Sequence, residues 1–128
     1  MATTEPREMQ LDISPVPASR PRVTRRGITF YAEPYKSYKK DLKQLIEKVW
    51  DGDVISDRLS LSIRCVVDRP KKTSLFAPRP DVDNYAKAVM DAMNGVVFED
   101  DRQVTFLCVS KEWASPGQPG FIQISIKT

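Results

Sequence analysis

The feature that most constrains the fold is the stretch LSLSIRCVV at residues 59–67, where apolar and polar side chains alternate. A period of two is typical of a β-strand with one buried face and one open face. Two later stretches also have strand-like composition, VTFLCVSKEW at 104–113 and FIQISIKT at 121–128. The chain is therefore expected to build a sheet that other elements cover on one side.

Two segments predict the helices that cover this sheet. DNYAKAVMDAMN at 83–94 is predicted to be helical, with Asp83 or Asn84 as its cap and Asn94-Gly95 at its end. PYKSYKKDLKQLIEKVW at 34–50 begins with a proline, which suits the first turn of a helix. The apolar residues of this segment recur at helical spacing, and they are Tyr35, Tyr38, Leu42, Leu45, Ile46 and Val49.

The N-terminal part adds two strands and a basic loop. After a loose terminus at 1–7, MQLDISPVP at 9–17 is predicted to be a strand, and ITFYAE at 28–33 a short second one. The basic loop ASRPRVTRRG lies between them. The element order β-β-α-β-α-β-β in 128 residues predicts a single α+β domain over 1–128, with both helices against one mixed sheet.

The chain has no histidine and only two cysteines, Cys65 and Cys108, which are far apart in sequence. These facts exclude Ser-His-Asp and Cys-His catalysis and a structural zinc site. A general base must then be Asp, Glu, Lys or a metal-bound water. Both cysteines lie in predicted strands and are expected to be buried free thiols. With no signal-peptide pattern and no long apolar run, the sequence favours a cytoplasmic protein.

The net charge of +3 is unevenly distributed along the chain. From Arg20 to Lys48 there are nine basic and three acidic residues, and from Arg64 to Arg79 five basic and one acidic. The segment from Asp81 to Arg102 has the opposite balance, with six acidic residues and two basic ones. Basic segments attract a polyanion, whereas an acidic segment repels it unless divalent cations are held there.

The acidic segment reads RPDVDNYAKAVMDAMNGVVFEDD. Asp81 and Asp83 lie on the same side of an extended stretch, and the start of a helix keeps carboxylates ionised. The short helix and the Asn94-Gly95 turn allow the chain to bring Asp100 or Asp101 back towards Asp81. Each piece also has a simpler explanation, because a D-x-D pair is common at helix caps and EDD is common in turns.

Three converging carboxylates would form a hard-oxygen site of the kind that Mg²⁺ and Mn²⁺ prefer. A calcium loop is excluded because Ala86 and Ala92 stand where that loop requires Gly and Glu. Between basic segments, such a site suits phosphodiester hydrolysis by a metal-bound water. Lys87, four residues after Asp83, could stabilise the transition state, although a salt bridge is its simpler role. Asp91 is expected to support Lys87 rather than to bind metal.

The motif RPDVDNYAKAVMDAMNGVVFEDDRQV resembles that of the RusA family of Holliday junction resolvases, small enzymes common in phages and prophages. The shared elements are D-x-D-N, a lysine four residues after the second Asp, DAM, a turn, and DD-x-Q-V. RPRVTRRGITFYAEPYKSYKKDL is also similar to the family's N-terminal basic loop and helix, so the resemblance covers most of the chain. One departure is Pro80, where some members carry a basic residue; here Arg79 carries the charge instead.

The resemblance implies that Asp81, Asp83 and Asp101 bind metal, with Asp101 favoured over Asp100, and that Lys87 is functional. It also implies a RusA-like α+β fold, a homodimer, and dependence on Mg²⁺, for which Mn²⁺ can substitute. The implied activity is a pair of symmetric nicks in four-way DNA that leaves ligatable duplexes. A two-fold dimer suits this activity because it supplies two equivalent sites for two symmetric strands. The cytoplasm of a bacterial host, or its nucleoid, is the expected location.

Binding to a junction is expected to depend mainly on phosphate contacts and on the shape of the DNA. Phe76, in TSLFAPRP, could insert at the branch point or pack against a second copy of the chain. Further candidates for a dimer interface are Trp50, Trp113 and Phe121. The residues expected to contact phosphate are Arg20, Arg22, Arg25, Arg26, Lys71, Lys72 and Arg79.

The sequence leaves other functions open. A metal-dependent nuclease could instead prefer flaps, forks or other branched DNA. A non-catalytic nucleic-acid-binding module could use the same acidic residues only to cap helices. A degenerate family member acting as a structural dimer would have lost an acidic ligand, and none is missing here.

Overall fold

The predicted sheet is present in a computed structural model, which describes residues 6–18, 22–23, 26, 29–30, 33–79 and 81–128. At 22–23, 29–30 and 33–34 the description covers the backbone alone. In chain order the elements are β1 (Arg7–Leu11), β2 (Arg22–Val23), β3 (Thr29–Phe30), α1 (Glu33–Val49), β4 (Leu59–Val67), α2 (Val82–Met93), a 3₁₀ turn (Asp101–Gln103), β5 (Val104–Trp113) and β6 (Phe121–Lys127).

The main sheet has four strands in the order β1-β6-β4-β5, while β2 and β3 form a separate antiparallel hairpin. β6 pairs antiparallel with both β1 and β4, and β4 pairs parallel with β5. A parallel pair needs a crossover connection, and α2 supplies it. The start of α2 therefore follows the carboxyl end of β4, and the 3₁₀ turn leads into β5. The sheet is mixed, so the α+β prediction is confirmed.

The core lies between the helices and one face of the sheet, as the alternation in β4 predicts. The opposite face of the sheet is polar, with Ser62 and Arg64 of β4 exposed. Val49, one of the apolar residues at helical spacing in α1, is 39% exposed, whereas the next residue, Trp50, is buried at 9% exposure. The strand residues in the core include Met9, Leu11, Leu59, Leu61, Ile63, Cys65, Ile122, Ile124 and Ile126, and those of α1 are Tyr35, Tyr38, Leu42 and Ile46.

Three boundaries differ from the sequence prediction. β1 begins at Arg7, whose guanidinium pairs with the Asp51 carboxylate at 3.0 Å and lies 3.8 Å from the centre of the Trp50 ring. The predicted basic loop contains β2. α2 begins at Val82 with Asp81 as its N-cap, so the prediction that Asp83 or Asn84 caps the helix is wrong. No helix in the described ranges is both long enough and apolar enough to cross a bilayer.

The two cysteines have different environments. Cys65 is fully buried, as predicted, and burial raises its pKa to about 12. Cys108 is exposed, so its predicted burial is wrong. The cause is the strand order, because β5 lies at the edge of the sheet and the side chain of Cys108 is on the uncovered face.

Alkaline pH is expected to destabilise the fold through Cys65. Its pKa rises from an ordinary value of 9.0 to about 12, so the folded chain retains a proton that the unfolded chain releases. The free energy of unfolding should therefore fall as the pH rises above 9, by up to about 1.4 kcal/mol per pH unit. Burial raises the pKa of Tyr38 as well, which adds a loss at higher pH. The free energy of unfolding, measured by urea unfolding at several pH values above 9, should fall less steeply with pH for Cys65→Ala than for the wild type. For Cys108→Ala it should fall as steeply as for the wild type.

Candidate active site

The acidic start of α2 carries a carboxylate that the helix does not use. Asp81 is the N-cap residue, with extended φ and ψ of −62° and 153°, and its side chain makes no capping hydrogen bond. Its main-chain carbonyl accepts the Asn84 N–H at 3.1 Å instead. Asp83, in the first turn, is exposed. The simpler explanation of the D-x-D pair, that its side chains cap the helix, therefore does not hold for Asp81.

Two hydrogen bonds connect other parts of the chain to the first turns of α2. The N–H of Ala18 donates to the Asn84 carbonyl at 2.9 Å. The hydroxyl of Tyr85, which is almost fully buried, donates to the carbonyl of Arg79, the last residue of the second basic segment. Burial raises the pKa of Tyr85, which keeps this donor protonated. The end of the second basic segment is thus held against the helix that carries Asp83.

The loop at residues 69–79, called here the 69–79 loop, is also held by a side chain from the sheet, in addition to Tyr85 of α2. The indole N–H of Trp113 in β5 donates to the Leu75 carbonyl at 3.0 Å. The next residue, Phe76, is 100% exposed, and Lys71 and Lys72 are exposed as well. The backbone is thus anchored immediately beside a fully solvent-exposed phenyl ring.

The chain leaves β4 for this loop at Asp68, which is also fixed. The carboxylate of Asp68 accepts the Gly120 N–H at 2.6 Å, and its own N–H donates to the Ser14 hydroxyl at 3.0 Å. A Cβ atom at position 120 would lie 2.5 Å from the Val66 carbonyl oxygen, so only glycine fits there. The loop is therefore anchored at its start, beside its tip and at its end.

The return from α2 is folded against the segment before β4. Gly95 has a φ of +80°, a conformation that side chains disfavour, and it follows the last turn of α2. The Ile55 N–H donates to the Val97 carbonyl at 2.8 Å, and the Glu99 N–H donates to the Ile55 carbonyl at 3.3 Å. Phe98 is fully buried between these contacts. This arrangement fixes the chain immediately before the Asp100-Asp101 pair.

Asp100 has a structural role in the 3₁₀ turn. Its carboxylate accepts the Arg102 N–H at 2.9 Å, and its own N–H donates to the Gln103 side-chain oxygen at 2.8 Å. The Gln103 side-chain nitrogen donates to the carbonyls of Ile55 and Asp57, each at 2.8 Å. The hydrogen bond from Arg102 lowers the pKa of Asp100, followed by a hydrogen bond with the Asp101 side chain. Asp100 is therefore the capping member of the pair.

Asp101 has a different electrostatic environment. Partial burial raises the pKa of Asp101, the neighbouring Asp100 and Asp91 carboxylates raise it further, and the Lys87 ammonium opposes them. The return segment thus brings Asp101 beside the polar side of α2, close enough to interact with Lys87 and Asp91. The sequence analysis treated Asp91 only as a support for Lys87, and its closeness to Asp101 was not expected.

The acidic residues are distributed along α2 rather than gathered at one point. Asp83, Lys87 and Asp91 follow one another at successive turns, and Asp101 interacts with the last two. Among the described residues, no group of three or more acidic, cysteine or histidine side chains is close enough together to hold a metal ion. Lys87 lies between the two acidic ends of this row.

A comparison with protein families identifies relatives of the chain. The family model described as endodeoxyribonuclease RusA matches residues 12–127. The chain belongs to the RusA endodeoxyribonuclease family. Among curated proteins, the uncharacterized protein YqaN of Bacillus subtilis (strain 168) is 32% identical over 114 residues, covering 76% of this chain and 80% of that protein.

RusA membership confirms the family predicted from the motif RPDVDNYAKAVMDAMNGVVFEDDRQV, and the match covers nearly the whole chain. The family is one of DNA endonucleases that act on Holliday junctions.

The residues expected to contact DNA phosphates in this RusA-family chain are only partly described. Lys71, Lys72 and Arg79 are exposed on the 69–79 loop, and Arg26 is exposed in the N-terminal part. Arg20 and Arg25 lie outside the described residues, and only the backbone of Arg22, in β2, is described.

Of the candidates for a dimer interface, Trp50 is buried against Arg7, while Trp113 and Phe121 are half-buried. Phe76 alone of the four is exposed. The sequence analysis did not single out Phe106 and Leu107, which are 60% and 43% exposed on β5.

Sequence analysis also missed three residues that hold the RusA site in shape. Gln103 fixes the 3₁₀ turn, and its presence in the DD-x-Q-V motif was a signal that went unused. Tyr85 and Trp113 hold the 69–79 loop through main-chain carbonyls. No local pattern could have shown the Trp113 contact, because Trp113 is 38 residues away from its partner.

Proposed function

We propose that this RusA-family chain is a Mg²⁺-dependent endodeoxyribonuclease that resolves Holliday junctions by paired symmetric nicks in four-way DNA. The observation that carries the proposal is the start of α2. There the Asp81 carboxylate takes no part in capping, and Asp83 is exposed beside it. The second basic segment is hydrogen-bonded to the same helix through the Arg79 carbonyl. Family membership supports DNA as the substrate, and the two carboxylates at the start of α2 support metal-dependent hydrolysis.

Asp81, Asp83 and Asp101 are the proposed metal ligands. Their donor chemistry fits Mg²⁺ or Mn²⁺, because all three are exposed carboxylates, which are hard oxygen ligands. Mg²⁺ usually takes one or two carboxylates and completes its shell with water and substrate phosphate, so a preassembled cluster of three is not required. When bound, the ion would lower the pKa of a coordinated water and neutralise charge on the phosphate. The capping role of Asp100 supports Asp101 as the member of the pair that faces the ion.

Lys87 is the proposed charge-stabilising residue. It is exposed, lies one helical turn after Asp83 and interacts electrostatically with Asp101. An ammonium group at this point can neutralise the negative charge that develops on the phosphate during the reaction. In the absence of DNA the same group offsets the repulsion among the acidic residues beside it. Lys87 therefore has a role both before and after the substrate binds.

A cleavage experiment tests this function directly. A synthetic four-way junction, a flap, a fork and a linear duplex with the same arm sequences are incubated with the protein and Mg²⁺ or Mn²⁺. We expect paired nicks at symmetric positions in the junction, slower cutting of the other DNAs, and no cutting in EDTA. Cutting that persists in EDTA would contradict the metal dependence. Faster cutting of flaps or forks would show that one of these DNAs, and not the junction, is the preferred substrate.

The 69–79 loop is expected to bind phosphates through Lys71 and Lys72. Replacing both by alanine should weaken junction binding and reduce the slope of log affinity against log salt by about 1.8, because each phosphate contact releases about 0.9 counterions. Binding measured by fluorescence anisotropy over a salt series gives the slope. The matched control is Lys40→Ala with Lys43→Ala on the exposed side of α1. A slope for the Lys71-Lys72 variant equal to that of the wild type would show that the loop does not contact phosphate.

A further inference from the structure

β5 is an edge strand of unusual length and composition. It has ten residues, pairs on one side with β4, and pairs on its other side with no strand in the described part of the chain. An unpaired edge presents a row of backbone N–H and C=O groups that can template another strand. Proteins usually protect such an edge with charges, proline, short length or a covering element. The opposite edge, β1, is protected in this way, because it has five residues and includes Arg7 and Glu8.

β5 lacks these protections over most of its length. The segment Val104–Ser110, VTFLCVS, contains no charged residue and no proline. Phe106 is 60% exposed on the uncovered face of the sheet, beside Ser60 of β4, and Leu107 is 43% exposed on the helix-covered face, beside Leu61. Apolar side chains therefore flank the open edge on both faces. A second strand laid along this edge would cover both of them at once.

We propose that the edge of β5 binds β5 of a second copy of the chain, antiparallel across a two-fold axis, so that two four-stranded sheets become one. A two-fold axis perpendicular to the sheet keeps the helices of both copies on the same side. In an antiparallel pair, residues directly opposite each other point to the same face of the sheet. The axis must therefore lie between one residue and the same residue of the second copy, and not between two successive residues.

Overlap of the uncharged segments selects the position of the axis. With the axis at Leu107, the two uncharged segments Val104–Ser110 overlap over their whole length. Moving the axis to Phe106 or Cys108 shortens this overlap. With the axis at Leu107, Phe106 faces Cys108 of the second copy, and the two Leu107 side chains meet. The occupant that the edge fits is therefore its own copy.

The proposal names the surface of the homodimer that the family resemblance implies, and it does not rest on the nuclease activity. Its test needs neither DNA nor metal. Sedimentation equilibrium gives the mass of the protein, and we expect a dimer whose population rises with concentration. Leu107→Glu is expected to raise the dissociation constant of the dimer by about tenfold or more, because two carboxylates would meet at the axis. Because Leu107 is exposed, this variant should retain the circular dichroism spectrum of the wild type, and this is checked first.

Disulfide trapping tests the register. In a Cys108→Ser background, Leu107→Cys should give a covalent dimer under mild oxidation, since residues on the axis have Cβ atoms close to disulfide range. The matched control is Val49→Cys in the same background, which places a thiol at an exposed apolar position of α1. We expect no covalent dimer from the control. A monomeric wild type, a Leu107→Glu variant as dimeric as the wild type, or equal trapping by the two thiols would each overturn the proposal.

Discussion

Replacing Asp83 by asparagine is expected to lower the rate of junction cleavage by more than about 100-fold, because even the outer-shell partners of a bound metal are worth 10- to 100-fold. The affinity for the junction in the absence of divalent ions should stay the same or rise, since the variant removes a negative charge beside the DNA. Single-turnover cleavage and anisotropy measure the two quantities separately. The matched control is Asp41→Asn on α1, an exposed aspartate away from the site, which should cut at the wild-type rate. If Asp83→Asn cuts as fast as the control, the proposed mechanism is wrong.

A comparison of Asp91→Asn with Asp101→Asn would then establish which residues hold the ion. Asp101 interacts with Asp91, although the family resemblance groups Asp101 with Asp81 and Asp83. If Asp91 only orients Lys87, its replacement should lower the rate by less than that of Asp101 and leave the Mn²⁺ dependence of the rate unchanged. A shift of that dependence to higher Mn²⁺ concentration for Asp91→Asn would place Asp91 among the ligands.

Replacing Gln103 by alanine is expected to have the second largest effect on cleavage, although the residue touches no substrate. Its side chain accepts the Asp100 N–H and donates to the carbonyls of Ile55 and Asp57. Losing these bonds should lower the free energy of unfolding by about 1–3 kcal/mol, because at least one of the carbonyls is partly buried. The cleavage rate should fall by about 100-fold if Asp101 moves by about 1 Å.

Gln44→Ala on the exposed side of α1 is the control for Gln103→Ala, because it removes the same side chain from a position without these contacts. Denaturant unfolding gives the stability. Single-turnover cleavage in buffer without denaturant, at a temperature well below the melting temperature, gives the rate of the folded enzyme. A Gln103→Ala variant that is less stable but cuts at the wild-type rate would show that the 3₁₀ turn does not position Asp101.

Local periodicity predicted the fold where one face of an element is covered along its whole length. β4 alternates because one face is covered, and α1 carries apolar residues at helical spacing for the same reason. β5 misled the prediction because its composition resembles that of a half-buried strand, whereas Phe106, Leu107 and Cys108 are all exposed. Exposure there follows from the order of strands in the sheet, and that order depends on pairings between distant segments, which periodicity does not record.

The sequence singled out the acidic residues and Lys87 of the candidate site, but it could not assign their separate roles. D-x-D, Lys87 and the DD pair stood out because the proposed polyanion substrate and hard metal would limit the usable side chains. Asp100 and Asp101 could not be told apart from sequence, since the difference is a hydrogen bond from Arg102 to the first of them. Arg7 was placed in a loose terminus because its partners, Asp51 and Trp50, are more than 40 residues away.

The two hydrogen bonds that hold the 69–79 loop, from Trp113 and Tyr85, have a consequence for the evolution of this protein. Trp113 and Tyr85 both donate to main-chain carbonyls, those of Leu75 and Arg79, and not to side chains. The path of the loop is therefore independent of the side chains that it carries at its tip. Mutation can exchange Phe76 or the basic residues of the loop while the backbone keeps its shape, so a lineage can vary the chemistry of this surface without rebuilding α2.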